Sequence, residues 1–464
     1  MAASAGGAFR PAPTSGAGGV ATSLPLAARR SPLAARRSPL AARRSPLAAR
    51  RSQDPHGARA RGAPPRPYLP TPLTTVMKIT VLGAGAIGSA VAHDLARADA
   101  VTRVQVCEAR PITLRAFRAE RAHPKVRTYE ADARDTQTLE PILAGSAAVV
   151  SCVGPEHSAR LARLALALGA HFVDLADPDA LRGDAPALAE EAERRQRWVV
   201  MGCGLAPGLV GVLVMRGVEA LAEATAARIR VGGVPEERGE PYGHRLAHSA
   251  EKLLDDYTAP APVLRGGALE TRPPLTGVEA VEVKGFGTME AFYTSAGLRS
   301  LATALEGRLD RLDAKMLRYP GHADRMRFLL DLGLADKTSL DVRTHLTYRD
   351  VLVRRLRQRL GGPYRDAVLL RVEVDGRRAD GEAGTLVYSL VACPDEEAGL
   401  SAMQRCTGFP ASVAALLLAQ RGVPGGGVGA AEQVLPPDPY VEGLVQRGLQ
   451  IEEQWAPRAV AEPA

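Results

Sequence analysis

The chain has 464 residues and a formal net charge of +8 at pH 7, and its length predicts more than one domain. Twelve of its 59 basic residues and one of its 51 acidic residues fall within residues 1–76, so the remaining 47 and 50 nearly cancel. A near-neutral body lacks the electrostatic footprint of a nucleic-acid-binding protein. We therefore expect no nucleic-acid partner.

The cysteines and the hydropathy pattern indicate the compartment. The five cysteines are odd in number and form no C-x-x-C pair, which is unlike a disulfide scaffold or a zinc site. No apolar run reaches the ~18 residues that a membrane span needs. These features predict a cytoplasmic protein with no bound metal and no membrane partner.

Residues 1–76 form a basic extension that is almost free of acids. Residues 25–52 repeat PLAARRS four times, and the proline in each copy forbids one long helix. Because so little apolar surface cannot offset the entropy of ordering, we predict disorder. The extension could be an organelle transit peptide, a basic arm for an acidic surface, or sequence upstream of a true start at Met77. We favour the third, because Met77 begins the first predicted strand.

Residues 77–88 have the order of a dinucleotide-binding turn: a β-branched strand, the pattern G-x-G-x-x-G, and then helical spacing. The first glycine makes the tight turn, the second lets the backbone approach a pyrophosphate, and the third lets the helix lie against the sheet. The N–H groups at the helix N-terminus then hold the phosphates. The alternative is a glycine-rich turn in an ordinary α/β unit. The residues predicted to bind the cofactor here are Gly83, Gly85, Ala86, Ile87 and Gly88.

The next strand ends in an acid that indicates which dinucleotide is bound. Glu108 follows the last glycine by 20 residues, where a carboxylate can accept hydrogen bonds from the adenosine ribose and repel a 2′-phosphate. We therefore favour NAD over NADP. Arg110 counts against this preference for NAD, because its guanidinium could pair with the 2′-phosphate of NADP. Asp132, after the third strand, is expected beside the adenine.

The alternation of strands and helices continues to residue 203 and predicts a doubly wound parallel Rossmann sheet. Ser151, Cys152 and Val153 end the fourth strand and should lie near the nicotinamide, because ligands sit at the carboxyl ends of such strands. Cys152 and Cys203 are expected to be small apolar core residues rather than nucleophiles.

The chain divides into four predicted segments. Residues 1–76 are the extension, 77–206 the Rossmann domain, 207–400 an inserted α/β substrate domain, and 401–464 helices that return to the Rossmann domain. The active site should be the cleft between the two domains.

Seven separate motifs, in order, resemble those of the saccharopine dehydrogenase-like oxidoreductases and, among them, the lysine 6-dehydrogenases. They are GAGAIG (83–88), GLAPGL (204–209), VGGVP (231–235), SAEKLLDDYTAPA (249–261), FGTMEAFYTSAG (286–297), LRYPGH (317–322) and SAMQRCTGFPA (401–411). The resemblance implies a Rossmann domain, a substrate domain, a nicotinamide cofactor and a homodimer. It further implies oxidation of the ε-amine carbon of L-lysine to aminoadipate semialdehyde and ammonia.

Two other functions remain open. A related enzyme could make or split a secondary amine, such as saccharopine or carboxynorspermidine, and would need more cationic residues for a second carboxylated arm. A non-catalytic NAD sensor would need the glycine turn but not a large second domain.

Amine oxidation needs a neutral amine, a proton acceptor and a clamp on the far end of the substrate. Arg318, in the LRYPGH motif, suits a bidentate carboxylate clamp, or else a surface salt bridge. His322 could be the base or a water-orienting group, or a structural histidine.

The remaining candidates are an acid and three hydroxyls. Glu290 could pair with the substrate α-ammonium, or serve as a carboxylate at a helix N-terminus. Thr294, Ser295 and Ser249 could donate hydrogen bonds to the substrate, or cap helices. Asp255 and Asp256 are interpreted as a solvated helix face, with a smaller chance that one points into the cleft.

Overall fold

A computed structural model describes residues 77–239, 243–246, 249–295, 298–341, 345–362, 364–420 and 422–458. The extension predicted to be disordered therefore lies outside the described residues. Sixteen strands are described. They are β1 Met77–Leu82, β2 Val101–Glu108, β3 Val126–Glu130, β4 Ala148–Ser151, β5 His171–Asp174, β6 Trp198–Met201, β7 Glu223–Pro235, β8 Ala261–Arg265, β9 Ala268–Arg272, β10 Glu279–Val283, β11 Gly287–Tyr293, β12 Arg311–Arg318, β13 Asp366–Arg377, β14 Ala383–Ala392, β15 Gly427–Ala430 and β16 Glu452–Pro457.

Thirteen α-helices are described along the same residues. They are α1 Ala86–Arg97, α2 Pro111–Glu120, α3 Thr136–Leu143, α4 Ser158–Ala167, α5 Ala185–Arg195, α6 Leu209–Ala220, α7 Ala250–Thr258, α8 Arg299–Leu305, α9 His322–Asp331, α10 Tyr348–Leu360, α11 Ala402–Ala419, α12 Ala431–Val434 and α13 Pro437–Val445.

The first domain is the doubly wound parallel sheet that the sequence predicts. Its strand order is β15-β6-β5-β4-β1-β2-β3, and every pairing is parallel. The order reverses between β1 and β4, which is where such sheets open a ligand crevice. Ile79 of β1 lies between Val104 of β2 and Ala148 of β4, and all three are fully buried. Apolar strands with helices on both faces therefore form the core of this domain.

The second domain is built on a mixed sheet. Its strand order is β10-β11-β12-β7-β13-β14-β16, with β8 and β9 attached through β12. Strand β7 is central: it pairs parallel with β12 and antiparallel with β13. Arg228 of β7 forms ion pairs with Glu373 (2.8 Å) and Asp375 (2.7 Å) of β13, which fixes the register between the two strands.

The chain after residue 400 joins both domains. Helix α11 packs on α1, where Gly408 lies against Ala90, and β15 adds a seventh strand to the Rossmann sheet beside β6. Strand β16 instead pairs with β14 of the second sheet. The sequence predicted only returning helices for this segment, so both strands are additions to that prediction. None of the described helices is long and apolar enough to cross a membrane.

Candidate active site

A cavity of about 660 Å³ lies between the carboxyl edge of the Rossmann sheet and the second sheet. Its wall on the first domain is formed by the glycine turn and Cys152, and its wall on the second by β7, α7 and β12. Small residues line much of it, including Gly204 from the loop after β6 and Gly232 and Gly233 from β7. A cavity of this size suits a nicotinamide-ribose and a small substrate together.

The glycine turn fits a dinucleotide. A Cβ on Gly88 would stand 1.9 Å from the carbonyl oxygen of Gly83, so close packing of α1 on the turn requires glycine there. Gly85 differs, because a Cβ on it would meet nothing within 4 Å and its φ of −67° suits any residue. Its missing side chain instead leaves room at the cavity wall beside the N-terminus of α1. That space is what a pyrophosphate held by backbone N–H groups needs.

Glu108 is held at the adenosine side of the turn. Its carboxylate accepts hydrogen bonds of 3.0 Å from the backbone N–H of Ala84 and of 3.0 and 3.1 Å from the backbone and Nε of Arg110. Burial raises the pKa of Glu108, but these hydrogen bonds and the Arg110 charge outweigh it, so the net shift is downward. The ionised carboxylate is thus fixed toward the turn, with the Arg110 side chain beside it and exposed.

A smaller cavity of about 130 Å³ extends from Glu108 and holds the other predicted adenosine residues. Glu108, Asp132 and Val153 all line it. Arg134 hydrogen-bonds to Asp132 (2.7 Å) and lowers the pKa of that carboxyl to about 2. Val153 therefore faces the adenosine side rather than the nicotinamide side on which the sequence placed it.

Cys152 and Ser151 differ in what they face. Cys152 lines the large cavity, and burial raises the pKa of its thiol, which disfavours a nucleophilic thiolate. Ser151 is fully buried off the cavity, beside Asp174 at the end of β5. Burial raises the pKa of Asp174 to about 6. Ser151 is thus placed to support the sheet edge rather than to contact the cofactor.

Arg318 ends β12 and lines the large cavity. Its side chain is buried, and one terminal nitrogen, Nη1, donates to the carbonyls of Gly233 (3.1 Å) and Leu317 (2.9 Å). Its Nε has no hydrogen-bond partner, and no carboxylate among the described residues pairs with it. A buried, unpaired guanidinium on a cavity wall is a ready site for an anion.

Two lysines on the same wall are already paired, and the sequence analysis missed both. Lys315 Nζ donates to the Gly277 carbonyl (2.7 Å) and pairs with Glu279 (2.7 Å). Lys252 of α7 pairs with Asp256 one turn later on the same helix. Both lysine charges are therefore largely balanced within the protein.

Asp256 is the carboxylate on the wall of the large cavity. It is buried and also accepts a hydrogen bond of 3.3 Å from Ser295. Its neighbour Asp255 is 61% exposed and pairs with Arg349. The sequence treated both as a solvated face. The helix repeat could have separated them, because Asp256 shares a face with Lys252 and Ser249, four and seven residues before it.

His322 lies behind the cavity wall and does not line it. It is buried at the start of α9, its ring stacks on Phe292 at 5.9 Å, and its Nε2 is 2.9 Å from the Tyr257 hydroxyl. Tyr257 in turn lies beside Arg318. Burial and the charges of Arg318 and Arg325 hold the pKa of His322 well below its usual range, so the ring is neutral. His322 therefore reaches the cavity only through Tyr257 and Arg318.

Glu290 is not free for a substrate. Its two carboxylate oxygens accept hydrogen bonds from the backbone N–H groups of Gly321 (2.7 Å) and Ala323 (2.6 Å) at the N-terminus of α9. This is the helix-terminal alternative weighed in the sequence analysis, and it corrects the predicted pairing with an α-ammonium. A carboxylate there stabilises the helix through its unpaired N–H groups and its dipole.

The three predicted hydroxyls have different surroundings, and that of Ser295 donates to Asp256 as described above. Ser249 lines the cavity and also caps α7, because its Oγ accepts a hydrogen bond of 3.2 Å from the Lys252 N–H. Thr294 is buried, its Oγ1 has no hydrogen-bond partner among the described residues, and it does not line the cavity. The structure therefore brings Arg318 and Ser249 together with Lys252, Lys315 and Asp256.

The Rossmann sheet carries a glycine turn and opens onto a second domain with cationic and acidic groups. This arrangement is that of a dinucleotide-dependent oxidoreductase. Residues 79–200 match the family model of the saccharopine dehydrogenase NADP binding domain, and residues 204–449 match that of the saccharopine dehydrogenase C-terminal domain. The protein belongs to the saccharopine dehydrogenase family.

Two solved structures share the fold. Saccharopine dehydrogenase (L-Glu forming) from Saccharomyces cerevisiae is 19% identical, with a TM-score of 0.68, and the match covers 82% of this chain and 100% of that one. A homospermidine synthase from Legionella pneumophila, in complex with NAD, is 12% identical with a TM-score of 0.58, covering 82% and 91%. At these identities the likeness concerns the fold.

Proposed function

We propose that the protein is an NAD-dependent dehydrogenase that oxidises the ε-amine carbon of L-lysine to an imine by hydride transfer to NAD, and that water hydrolyses the imine to aminoadipate semialdehyde and ammonia. The observation that carries the proposal is the charge balance of the cavity wall. Of its cations, Lys252 and Lys315 are paired with protein carboxylates, and Arg318 is not. One unpaired cation suits a substrate with one carboxylate, such as L-lysine, better than saccharopine with its additional carboxylated arm.

Each wall residue then has a role. Arg318 binds the α-carboxylate, and its burial makes the contact strong because water is excluded. Asp256 accepts a hydrogen bond from the reacting amine and is the carboxylate to which the ammonium proton passes. Lys252, whose ammonium pairs with Asp256, holds that carboxylate in place before it takes up the proton. When bound along the glycine turn, the dinucleotide supplies the hydride acceptor.

NAD is the proposed cofactor because of the Glu108 geometry. The carboxylate is buried, held by Ala84 and Arg110, and ionised, so a ribose 2′-phosphate would meet its charge. The NAD in the homospermidine synthase structure is compatible with this preference. The preference itself follows from the position and charge of the Glu108 carboxylate.

A substrate series tests the proposal. The full-length protein is assayed for reduced nicotinamide by absorbance with L-lysine, with cadaverine, which is lysine without its carboxylate, and with saccharopine. We expect L-lysine to give the highest kcat/KM, and cadaverine a value at least about 100-fold lower. Higher activity with saccharopine would assign the reaction to secondary amines instead. No activity with any of them would leave NAD sensing as the better account.

Arg318→Gln supplies the matched control. It should lower kcat/KM for L-lysine about 100-fold and leave the low value for cadaverine nearly unchanged, because cadaverine has no carboxylate to lose. An equal fractional loss with both substrates would mean that Arg318 acts on the fold or on the chemistry and does not clamp a carboxylate.

A further inference from the structure

A second cavity, of about 580 Å³, lies between α9 and α10 and shares no lining residue with the large one. Its apolar wall is formed by Met326 and Leu329 of α9 and by Leu356 and Leu360 of α10. Phe328 lines it too and is 63% exposed. The volume is that of a small-molecule site, and the catalytic proposal above does not use it.

The polar groups around this cavity are mostly cationic. Arg325, Arg355 and Arg359 line it, and the one acid in the lining, Asp324, is 80% exposed and pairs with Arg327. His322 also lines it but is neutral. The cavity thus combines apolar walls with an excess of positive charge.

The arginines of α10 divide into two sets. Arg349 and Arg357 form ion pairs with carboxylates of α7, so they hold the two helices together. Arg355 and Arg359, four residues apart and on one helix face, have no ion pair with any described residue. Arg355 Nη1 donates to the Gln358 side chain (3.3 Å), and no carboxylate of the described residues neutralises either arginine.

Phe328 on the cavity wall is exposed. Leu332, Tyr348 and Val351 are also each more than a third exposed and come from the same two helices and their ends, outside the cavity lining. A second copy of the chain is a poor occupant, because a two-fold contact would set the same arginines against each other. A concave apolar site with a cationic rim instead matches one small molecule with an anionic head and an apolar tail.

We propose that this cavity binds a free amphipathic carboxylate, with its head on Arg355 and Arg359 and its tail against Met326, Leu329 and Leu356. Two guanidiniums on adjacent turns can hold one carboxylate through charge-assisted hydrogen bonds. The tail then covers apolar surface that water would otherwise contact.

Calorimetric titration of the full-length protein with decanoate, at saturating NAD, tests the site. We expect one decanoate per chain, and binding at least about tenfold weaker for decan-1-ol, which has the same tail without the charge. L-Lysine should not displace decanoate. Displacement by L-lysine would mean that the cavity is part of the substrate site. Equal binding of decan-1-ol would show that the cavity does not recognise a carboxylate, which contradicts the proposal.

Variants of α10 localise the binding. The double variant Arg355→Gln/Arg359→Gln should weaken decanoate about tenfold or more, while Arg354→Gln, on the same helix but outside the cavity, should change it less than about twofold. Circular dichroism checks that each variant is folded. Equal effects of the two variants would contradict the site. Binding to vesicles of anionic phospholipid with no binding of free decanoate would replace the small ligand with a membrane surface.

Discussion

Packing does not require glycine at position 85. Its backbone conformation suits any residue, and the space beside it is open. Gly88, three residues on, is the opposite case, since a Cβ there would collide with Gly83. The same motif thus contains one glycine that packing does not require and one that the fold requires.

Gly85→Ala should weaken NAD binding about tenfold or more and leave the unfolding midpoint nearly unchanged, because the added methyl occupies only ligand space. Fluorescence titration with NAD and thermal unfolding without it measure the two effects. Gly88→Ala is the control and should lose about 3 kcal/mol or more of folding free energy. If Gly85→Ala lowered stability as much as Gly88→Ala, the space beside Gly85 would not belong to the cofactor.

Glu108 and Arg110 together set the proposed preference for NAD. Removing the carboxylate with Glu108→Ala leaves the Arg110 guanidinium, 69% exposed, free to pair with a 2′-phosphate. We expect the ratio of kcat/KM for NAD to that for NADP to fall about tenfold or more. Glu130→Ala, at the end of the neighbouring strand β3, is the control and should leave the ratio unchanged. An unchanged ratio in Glu108→Ala would show that another group selects the cofactor.

At the level of elements, α7 and α9 pack in one apolar cluster, and a hydrogen bond joins the Tyr257 hydroxyl to His322 Nε2. Tyr257 also lies beside Arg318, so the pair positions the proposed carboxylate clamp without touching substrate. The sequence identified the LRYPGH motif as important, but it could not show that His322 faces away from the cavity. That orientation depends on how α9 packs, which local spacing does not encode.

His322→Gln and Tyr257→Phe should each raise KM for L-lysine and leave NAD affinity intact, because each removes the same hydrogen bond behind Arg318. The double variant should be little worse than either single one, since both act through one interaction. Steady-state kinetics of the four proteins measure this coupling. Additive losses, or a loss of NAD binding, would contradict a positioning role.

The elements show why part of the fold followed from sequence and part did not. The first six strands alternate with helical segments, so their order along the chain was predictable, although β3 (Val-Arg-Thr-Tyr-Glu) has no buried residue. Strand β15 is Gly-Val-Gly-Ala, which carries little β-pattern, and it is a strand because the buried edge of β6 is available to it. Glu290 is a similar case, because its partners come more than 30 residues later.

At the scale of the whole molecule, buried titratable groups make stability depend on pH. His171 accepts a hydrogen bond of 3.0 Å from the Trp198 N–H through Nδ1, and burial and the Arg197 charge lower its pKa to about 4. The pKa of His93 is also lowered to about 4, first by burial and then by nearby arginines. Below pH ~6.5 the unfolded chain therefore takes up protons that the folded chain does not.

We expect the free energy of unfolding to fall between pH 6.5 and 4, with at most about 3 kcal/mol from His171. Asp174 contributes in the opposite direction and adds stability as the pH falls. Its raised pKa of about 6 lets the folded state bind a proton at a pH where the unfolded state does not. Denaturant titrations across pH should show a shallower decline for His171→Gln and a steeper one for Asp174→Asn. A wild-type stability that is flat over this range would contradict these protonation states.

In the proposed reaction the hydride leaves from the ε-carbon of L-lysine. L-Lysine deuterated at Cε and L-lysine deuterated at Cα are each turned over with NAD, and the reduced cofactor is analysed by mass spectrometry. The account predicts deuterium in the reduced cofactor from the Cε-labelled substrate and none from the Cα-labelled one. Deuterium from the Cα-labelled substrate alone would mean that the α-amine is oxidised and that the substrate lies in the cavity in the reverse orientation.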